Sequence, residues 1–394
     1  MEKIKNIMIY FILIPFLFPK GFAEYYSSYR NFYLIWLAGS LILMLLYIGN
    51  YFLLKKGKID RFIYFVCLYY GVFLGITLFN KGELGEGIQK LLVTPIFIIF
   101  FLIYIKKYPK VILKSITNIL ILLFVLNICF YPIFKYGLNS YHIYFLGHVQ
   151  MYSQISILGI FVSYLDQFYI RKGKKFKTLR ILSLCTLLLS QTAASYICLG
   201  LYFIFYFLNH FKADYILRLK PKSYFFIFIF LNIFLVWYSI GLESISFQNS
   251  LLSLSGRTFI WKDAYGLILD KPFTGYGAYG VLLKPFWSSW SIDAGGFNYA
   301  HNELIQRLLD GGILLLIDFL ILLFLGIKDL KNIGNKSLYK VAIVTLIMFM
   351  SIMLIESVTE YYFYFTYLVV LFSLPKIDKK LVRGSECYGL YCQC

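Results

Sequence analysis

The chain has 394 residues, of which 60% are hydrophobic and 14% charged. A soluble domain carries about a quarter charged residues, so an ordinary water-soluble core is excluded. The net charge of +19 sits in short Lys and Arg clusters between apolar blocks, with no basic stripe among exposed aromatics, which argues against nucleic acid as a partner.

The apolar residues fall in blocks of roughly 17–25, the length that spans a bilayer core of about 30 Å. They predict an all-α polytopic membrane protein with about 12 transmembrane helices. In chain order these are 5–22, 32–54, 62–79, 88–105, 112–134, 143–168, 178–190, 193–208, 223–241, 303–326, 340–356 and 358–375. Pro15 and Pro19 interrupt the first, and Gly21-Phe22-Ala23 also fits a signal-peptidase site. The polar run Ser190-Gln191-Thr192 divides 178–208 into two helices joined by a tight turn. Four regions follow: N-terminal membrane helices (1–241), an extracytoplasmic catalytic loop (242–302), C-terminal membrane helices (303–375) and a cytoplasmic tail (376–394).

Orientation follows from the cations. With the N-terminus inside, 28 of the 38 Lys and Arg residues fall on the cytoplasmic side. Positive residues concentrate in short cytoplasmic loops, so both termini are expected in the cytoplasm and the protein in the cytoplasmic (inner) membrane. One outer segment breaks the rhythm. Leu242 to Ala300 is 59 residues without a convincing span, and a loop that long is usually functional. A short amphipathic helix is expected in it over Thr258–Leu269, lying on the membrane surface. Asp270-Lys271-Pro272 ends it, since proline cannot continue a helix.

The cysteines carry no chemistry in this reading. Cys67, Cys129, Cys185 and Cys198 lie in apolar blocks as small hydrophobes. Cys387, Cys392 and Cys394 match no zinc spacing. There is no GxxxxGK[ST], HExxH or GxSxG, and no aspartate pair suited to a metal. A metal-independent reaction without a cofactor is the economical assumption.

Three features could carry chemistry. Arg257 follows Ser255-Gly256 at a helix start, where unpaired N–H groups and a guanidinium fork suit an anion; its alternative role is a lipid anchor. His301 opens the next membrane helix, and histidine is the side chain best matched to proton transfer near neutrality. Asn302 beside it is a candidate cap, and Glu303 and Arg307 are spaced for an ion pair. Asp318 lies within an apolar block, and Glu356 and Glu360 flank the last outer turn. Ionisable groups at membrane depth are expensive and point to function, or to pairing with a neighbouring helix.

The segments LSGRTFIWKDAYGLILDKPFTGYG and NYAHNELIQRLLDGGILLLIDFLILL resemble the conserved region of the O-antigen polymerase and ligase superfamily. The matching positions are Arg257, Trp261, Pro272, Gly275, Gly277, His301, Asn302, Gly311 and Gly312, over roughly 255–325. LGHVQMYSQISILGIF at 146–161 resembles the family less specifically. Relatives often have Ser-Arg between two helices where this chain has Ser190-Gln191.

The resemblance implies a membrane glycosyltransferase working outside the cytoplasmic membrane on undecaprenyl-pyrophosphate-linked oligosaccharides, as donor and acceptor. A capsule or O-antigen polymerase is the favoured branch. A ligase to lipid A core or protein is the alternative, and a flippase the reading from another class. Membrane lipid, a flippase and a chain-length regulator are the implied partners. In this reading Arg257 stabilises the leaving pyrophosphate and His301 takes the acceptor proton. Arg307, Asn302, Trp261, Tyr276, Glu356 and Glu360 are candidates for binding pyrophosphate or glycan.

Overall fold

The computed structural model describes residues 2–54, 57–138, 142–170, 173–211, 219–241, 257–283 and 298–390. It is about 81% helical, an all-α polytopic membrane protein. Eight helices among the described residues are long and apolar enough to cross a membrane. The remaining expected spans are also helical. The first, α1 (Glu2–Leu17), offers only the shorter apolar stretch Ile7–Leu17.

The next helices are α2 (Gly21–Tyr25), α3 (Ser27–Gly49), α4 (Arg61–Phe79), α5 (Leu84–Ile88), α6 (Thr94–Lys107) and α7 (Pro109–Pro132). The segment expected as a helix from 143 begins differently. Ile143–Tyr144 (β1) pairs antiparallel with Gly147–His148 (β2). His142 at φ 63° and Gly147 at φ 126° cannot continue a right-handed helix, so α8 starts only at Gln150 and runs to Tyr169. It buries Ser153, Gln154, Ser156, Ser163 and Asp166 alongside its apolar residues. A helix buried on every side is an internal pillar rather than a lipid-facing span. Its partner α9 (Lys175–Ser190) comes close enough that a Cβ on Gly159 would stand 2.3 Å from Ser183 Oγ.

The α9–α10 turn is as tight as the sequence predicts. Gln191 is left-handed at φ 52°, and the Thr192 hydroxyl accepts from Ser195 N to cap α10 (Ala193–His210). After α11 (Pro221–Gly241), the described parts of the outer loop are α12 (Arg257–Asp270), the run up to 283, and the residues from 298 onward. Ile260, Trp261 and Ala264 of α12 pack with Leu283, Ala300, Ile305 and Leu309 in a small separate core. Part of the apolar side of this helix therefore meets protein, while Tyr265 and Leu269 stay exposed.

The membrane helix α13 (Glu303–Ile327) is broken at Gly311 (φ −155°) and Gly312 (φ 61°). The glycine run after α12 fills the break. Tyr276 N donates to Leu309 O at 2.7 Å, Gly277 N to Asp310 O at 2.9 Å, and Ile313 N to Pro272 O at 2.9 Å. Backbone groups freed by the kink are thus satisfied, as burial demands. A Cβ on Gly312 would lie 2.2 Å from Phe273 C, and one on Gly275 2.4 Å from Leu309 O. The Pro-x-x-Gly-x-Gly and Gly-Gly motifs are two halves of one joint.

Helices α14 (Lys336–Met353) and α15 (Tyr362–Leu390) complete the fold. α15 starts at 362 rather than 358 because the Glu303 carboxylate holds Val358 N at 2.7 Å and Thr359 N at 3.2 Å outside helical pairing. It then continues through Pro375 into the expected tail, where Asp378 accepts from Tyr169 Oη at 2.9 Å and Gly334 N at 2.7 Å. The Cys387 side chain, Cys392 and Cys394 lie outside the described residues, as do Ser255 and Gly256. At the end of the bundle where α4 starts, Asp60 caps it and pairs with Lys106 at 2.7 Å and Lys376 at 3.3 Å. At the other end, the β hairpin, the α9–α10 turn, the start of α12, the start of α13 and the α14–α15 connection converge.

Candidate active site

Glu356, in the α14–α15 connection, joins the two residues that sequence reasoning ranks first. Its Oε1 accepts from Arg257 Nη2 at 2.7 Å, and its Oε2 lies 3.1 Å from His301 Nδ1. Glu356 is 4% exposed, so both contacts lie in a weakly screened setting. A carboxylate only accepts. A proton therefore belongs on His301 Nδ1, so that the neutral ring has its lone pair on Nε2. Arg257 Nε is buried and lacks a hydrogen-bond acceptor among the described residues. One edge of the guanidinium is committed to Glu356, and the Nε donor is left over.

His301 is held unusually firmly. It is left-handed at φ 49°, a conformation uncommon for a side chain with a Cβ. Asn302, fully buried, pins the following turn. Its Oδ1 accepts from Ile305 N at 3.0 Å, and its Nδ2 donates to Asn232 Oδ1 at 3.0 Å and Leu354 O at 3.1 Å. Trp261 Nε1 donates to Ala300 O at 2.9 Å, bracing the residue before His301 from the α12 side. The Tyr299 ring lies 4.4 Å from the imidazole. Burial and the nearby Glu356 push its hydroxyl up to about 12, so it keeps its proton throughout the neutral range.

Two cavities flank this cluster. The first, about 440 Å³, is lined by His142, His148, Gln150, the turn Ser190–Ala194, Arg257 and Glu356. Gln150 Nε2 lies 3.4 Å from His301 Nδ1. Burial holds the His148 imidazole below its ordinary value, with Glu356 opposing and His142 and His301 adding to the depression. The second cavity, about 300 Å³, is lined by Lys20, Gln89, Lys90, Tyr279, Tyr299 and Glu360, among others. Lys90 pairs with Glu360, lies 3.6 Å from Asp310 and sits over the Tyr279 ring. Burial alone would raise the Glu360 carboxyl. Lys90, Arg307 and the Tyr279 hydroxyl outweigh it, and the group lies below the ordinary carboxylate range.

Other candidates stand elsewhere. Arg307 is fully buried and meets Glu303 at 3.0 Å, Asp310 at 3.1 Å and Tyr69 Oη at 2.9 Å. It lines neither cavity and holds the start of α13 to α4. Trp261 is fully buried too. Tyr276 donates to Leu267 O at 3.0 Å under the Lys271 ammonium, closing the end of α12. Sequence reasoning passed over His142, His148, Gln150, Lys20 and Lys90. The first three lie in or beside the weakly family-like 146–161 stretch, which was the available signal. Lys20 and Lys90 look like ordinary helix-end cations.

Fold and cluster together define a polytopic membrane protein with a partly buried Arg–Glu–His cluster at one end of its bundle. The O-Antigen ligase family model matches residues 178–320, the stretch that supplies Arg257 and His301. A protein of Rickettsia conorii (strain ATCC VR-613 / Malish 7) named "Putative polysaccharide ligase RC0486" is 28% identical over 175 residues, 42% of this chain and 42% of that protein. The chain thus aligns with less than half of the length of that curated relative. These findings support membership of the O-antigen polymerase and ligase superfamily.

Proposed function

We propose that this protein is a metal-independent glycosyltransferase of the inner membrane. It would polymerise undecaprenyl-pyrophosphate-linked repeat units into capsular or O-antigen polysaccharide on the extracytoplasmic face. The observation that carries the reading is Glu356 bridging Arg257 and His301. The bridge puts an anion-binding guanidinium and an oriented base side by side.

The chemistry balances with these groups. The acceptor hydroxyl oxygen forms a bond to the donor's anomeric carbon. The bond from that carbon to the pyrophosphate oxygen breaks, and its electron pair leaves with the lipid pyrophosphate. Arg257 faces the charge as it develops, the most effective place for such a group. His301 Nε2 takes the hydroxyl proton, as a positioned base does. Glu356 fixes the tautomer and opposes the imidazolium charge. The first cavity, with hydroxyls, imidazoles, Arg257 and the start of α10, suits pyrophosphate. The second, with aromatic rings and amides, suits acceptor sugar. Arg307 acts by holding α13, and Asn302 and Trp261 by placing His301.

The ligase reading rests on the names of the family model and of the relative. A flippase would use a broken helix to line a substrate path. The break in α13 is instead closed by backbone from the glycine run. The test is the lipid-linked glycan profile of a deletion strain. A polymerase leaves single repeat units on the outer face, a ligase leaves full-length lipid-linked polymer, and a flippase leaves units inside.

A further inference from the structure

The second cavity holds a cation that the reaction above does not use. Lys20 lies between α1 and α2, where Lys20 N donates to Leu146 O and Gly21 N to Phe145 O, both at 3.1 Å. A Cβ on Gly21 would stand 2.0 Å from Tyr144 O, so this turn is locked against the β hairpin. The Lys20 stem is thereby aimed into the cavity by fixed backbone. Of the two lysines lining it, Lys90 is neutralised by Glu360 and Asp310. Lys20 makes no ion pair among the described residues; its ammonium lies 6.0 Å from the Tyr361 ring centroid. Burial lowers its proton affinity, with Glu360 and Glu24 opposing.

The rest of the wall carries groups of the kind that suit a sugar. Tyr279, Tyr299 and Tyr361 offer flat apolar faces, and Gln89 and Asn298 offer amide donors and acceptors. At about 300 Å³ the space is at the small end of ligand cavities, matching a sugar residue rather than a whole repeat unit. We propose that this cavity seats a sugar carrying a carboxylate, a uronic acid type of residue, and that Lys20 selects it. This rests on the glycosyl-transfer reading only for the identity of that sugar as the acceptor. Charge complementarity is the argument. A carboxylate gives the Lys20 ammonium a partner of opposite charge that it lacks among the described residues, and a charge-assisted hydrogen bond is about twice as strong as a neutral one.

The test is saturation-transfer NMR on the purified full-length protein, with glucuronate and glucose as probes. The wild type should prefer glucuronate by on the order of tenfold. Lys20→Met should bring the preference near one, and Lys20→Arg should restore most of it. A monodisperse elution profile confirms that each variant is folded. Equal binding of the two sugars by the wild type would overturn the proposal. So would an unchanged preference in Lys20→Met, or displacement of glucuronate by an equal concentration of inorganic phosphate. The readout needs no turnover. A protein that shows the preference but no transfer loses the enzymatic reading and keeps the sugar-acid site. A protein that transfers without the preference loses only the selection by Lys20.

Discussion

Glu356→Gln is the sharpest perturbation of the site, because it changes one charge and almost no volume. The carboxylate accepts from Arg257 at 2.7 Å and from His301 at 3.1 Å. The amide has one acceptor oxygen and a donor group that opposes one of the two partners. If the oxygen stays with Arg257, the amide donor turns to His301 Nδ1, and the imidazole must move its proton to Nε2. The base then carries a proton where it needs a lone pair. A wrong tautomer of this kind in a hydrolytic triad costs about 10⁴ in turnover. Here Arg257 and the two cavities remain, so the expected loss is on the order of 10²–10⁴. Each charged hydrogen bond lost also costs about 1.5–3 kcal/mol, so protein level must be checked beside activity. The assay is the size profile of undecaprenyl-linked glycans in a complemented deletion strain. Groups acting as one unit are not additive. Glu356→Gln combined with His301→Ala should therefore be no worse than His301→Ala alone. A single variant within about threefold of wild type, or losses that multiply, would refute the bridge.

Arg257→Lys keeps the charge but not the guanidinium fork. It should lose on the order of ten- to a thousandfold in polymer formation, whereas near-normal polymer from Arg257→Ala would make the residue a lipid anchor. Asn302→Ala should cost stability first. About 1 kcal/mol is expected for the cap, with more for the bonds to Asn232 and Leu354 O, and an unchanged melting temperature would contradict that role. His148 has its folded-state proton affinity depressed, so the unfolded chain protonates first as pH falls and folded stability is lost below about pH 6.5. His148→Gln should flatten the fall in melting temperature between neutral and mildly acidic pH; an identical slope would exclude His148 as its source. For topology, Ser288→Cys should react with an impermeant maleimide in intact or outer-membrane-permeabilised cells, and Gly173→Cys only after lysis. The reverse pattern would invert the orientation.

The helices were legible because hydrophobic length is a strong signal and lipid leaves the backbone few alternatives. What the sequence hid is where helices begin and which of them are internal. α8 reads as an ordinary span, yet it is the pillar on which α9 and α14 pack, and its polar residues were the clue. The start of α15 moved by four positions because the distant carboxylate of Glu303 captures two backbone N–H groups, a contact that no local pattern encodes. At the site, Arg257, His301 and the capping role of Asn302 were readable from residue type and position. Glu356 was visible only as a charge at the rim; its part as a bridge needs the chain folded, 99 residues from Arg257 and 55 from His301. Arg307 shows a different case. Six residues after His301 in sequence, its guanidinium turns into the protein, toward Glu303 and Asp310, the first being the ion pair that their spacing suggested.

In the proposed reaction His301 sits where the glycosidic bond is made. The most direct measurement is the size profile of undecaprenyl-linked glycans from cells with His301→Ala at wild-type protein level, with sidedness probed by an impermeant glycosidase. With His301 as the base, the cells should hold single repeat units that the glycosidase can reach, and lose long chains by on the order of a hundredfold or more. Long chains of normal length and amount would contradict it.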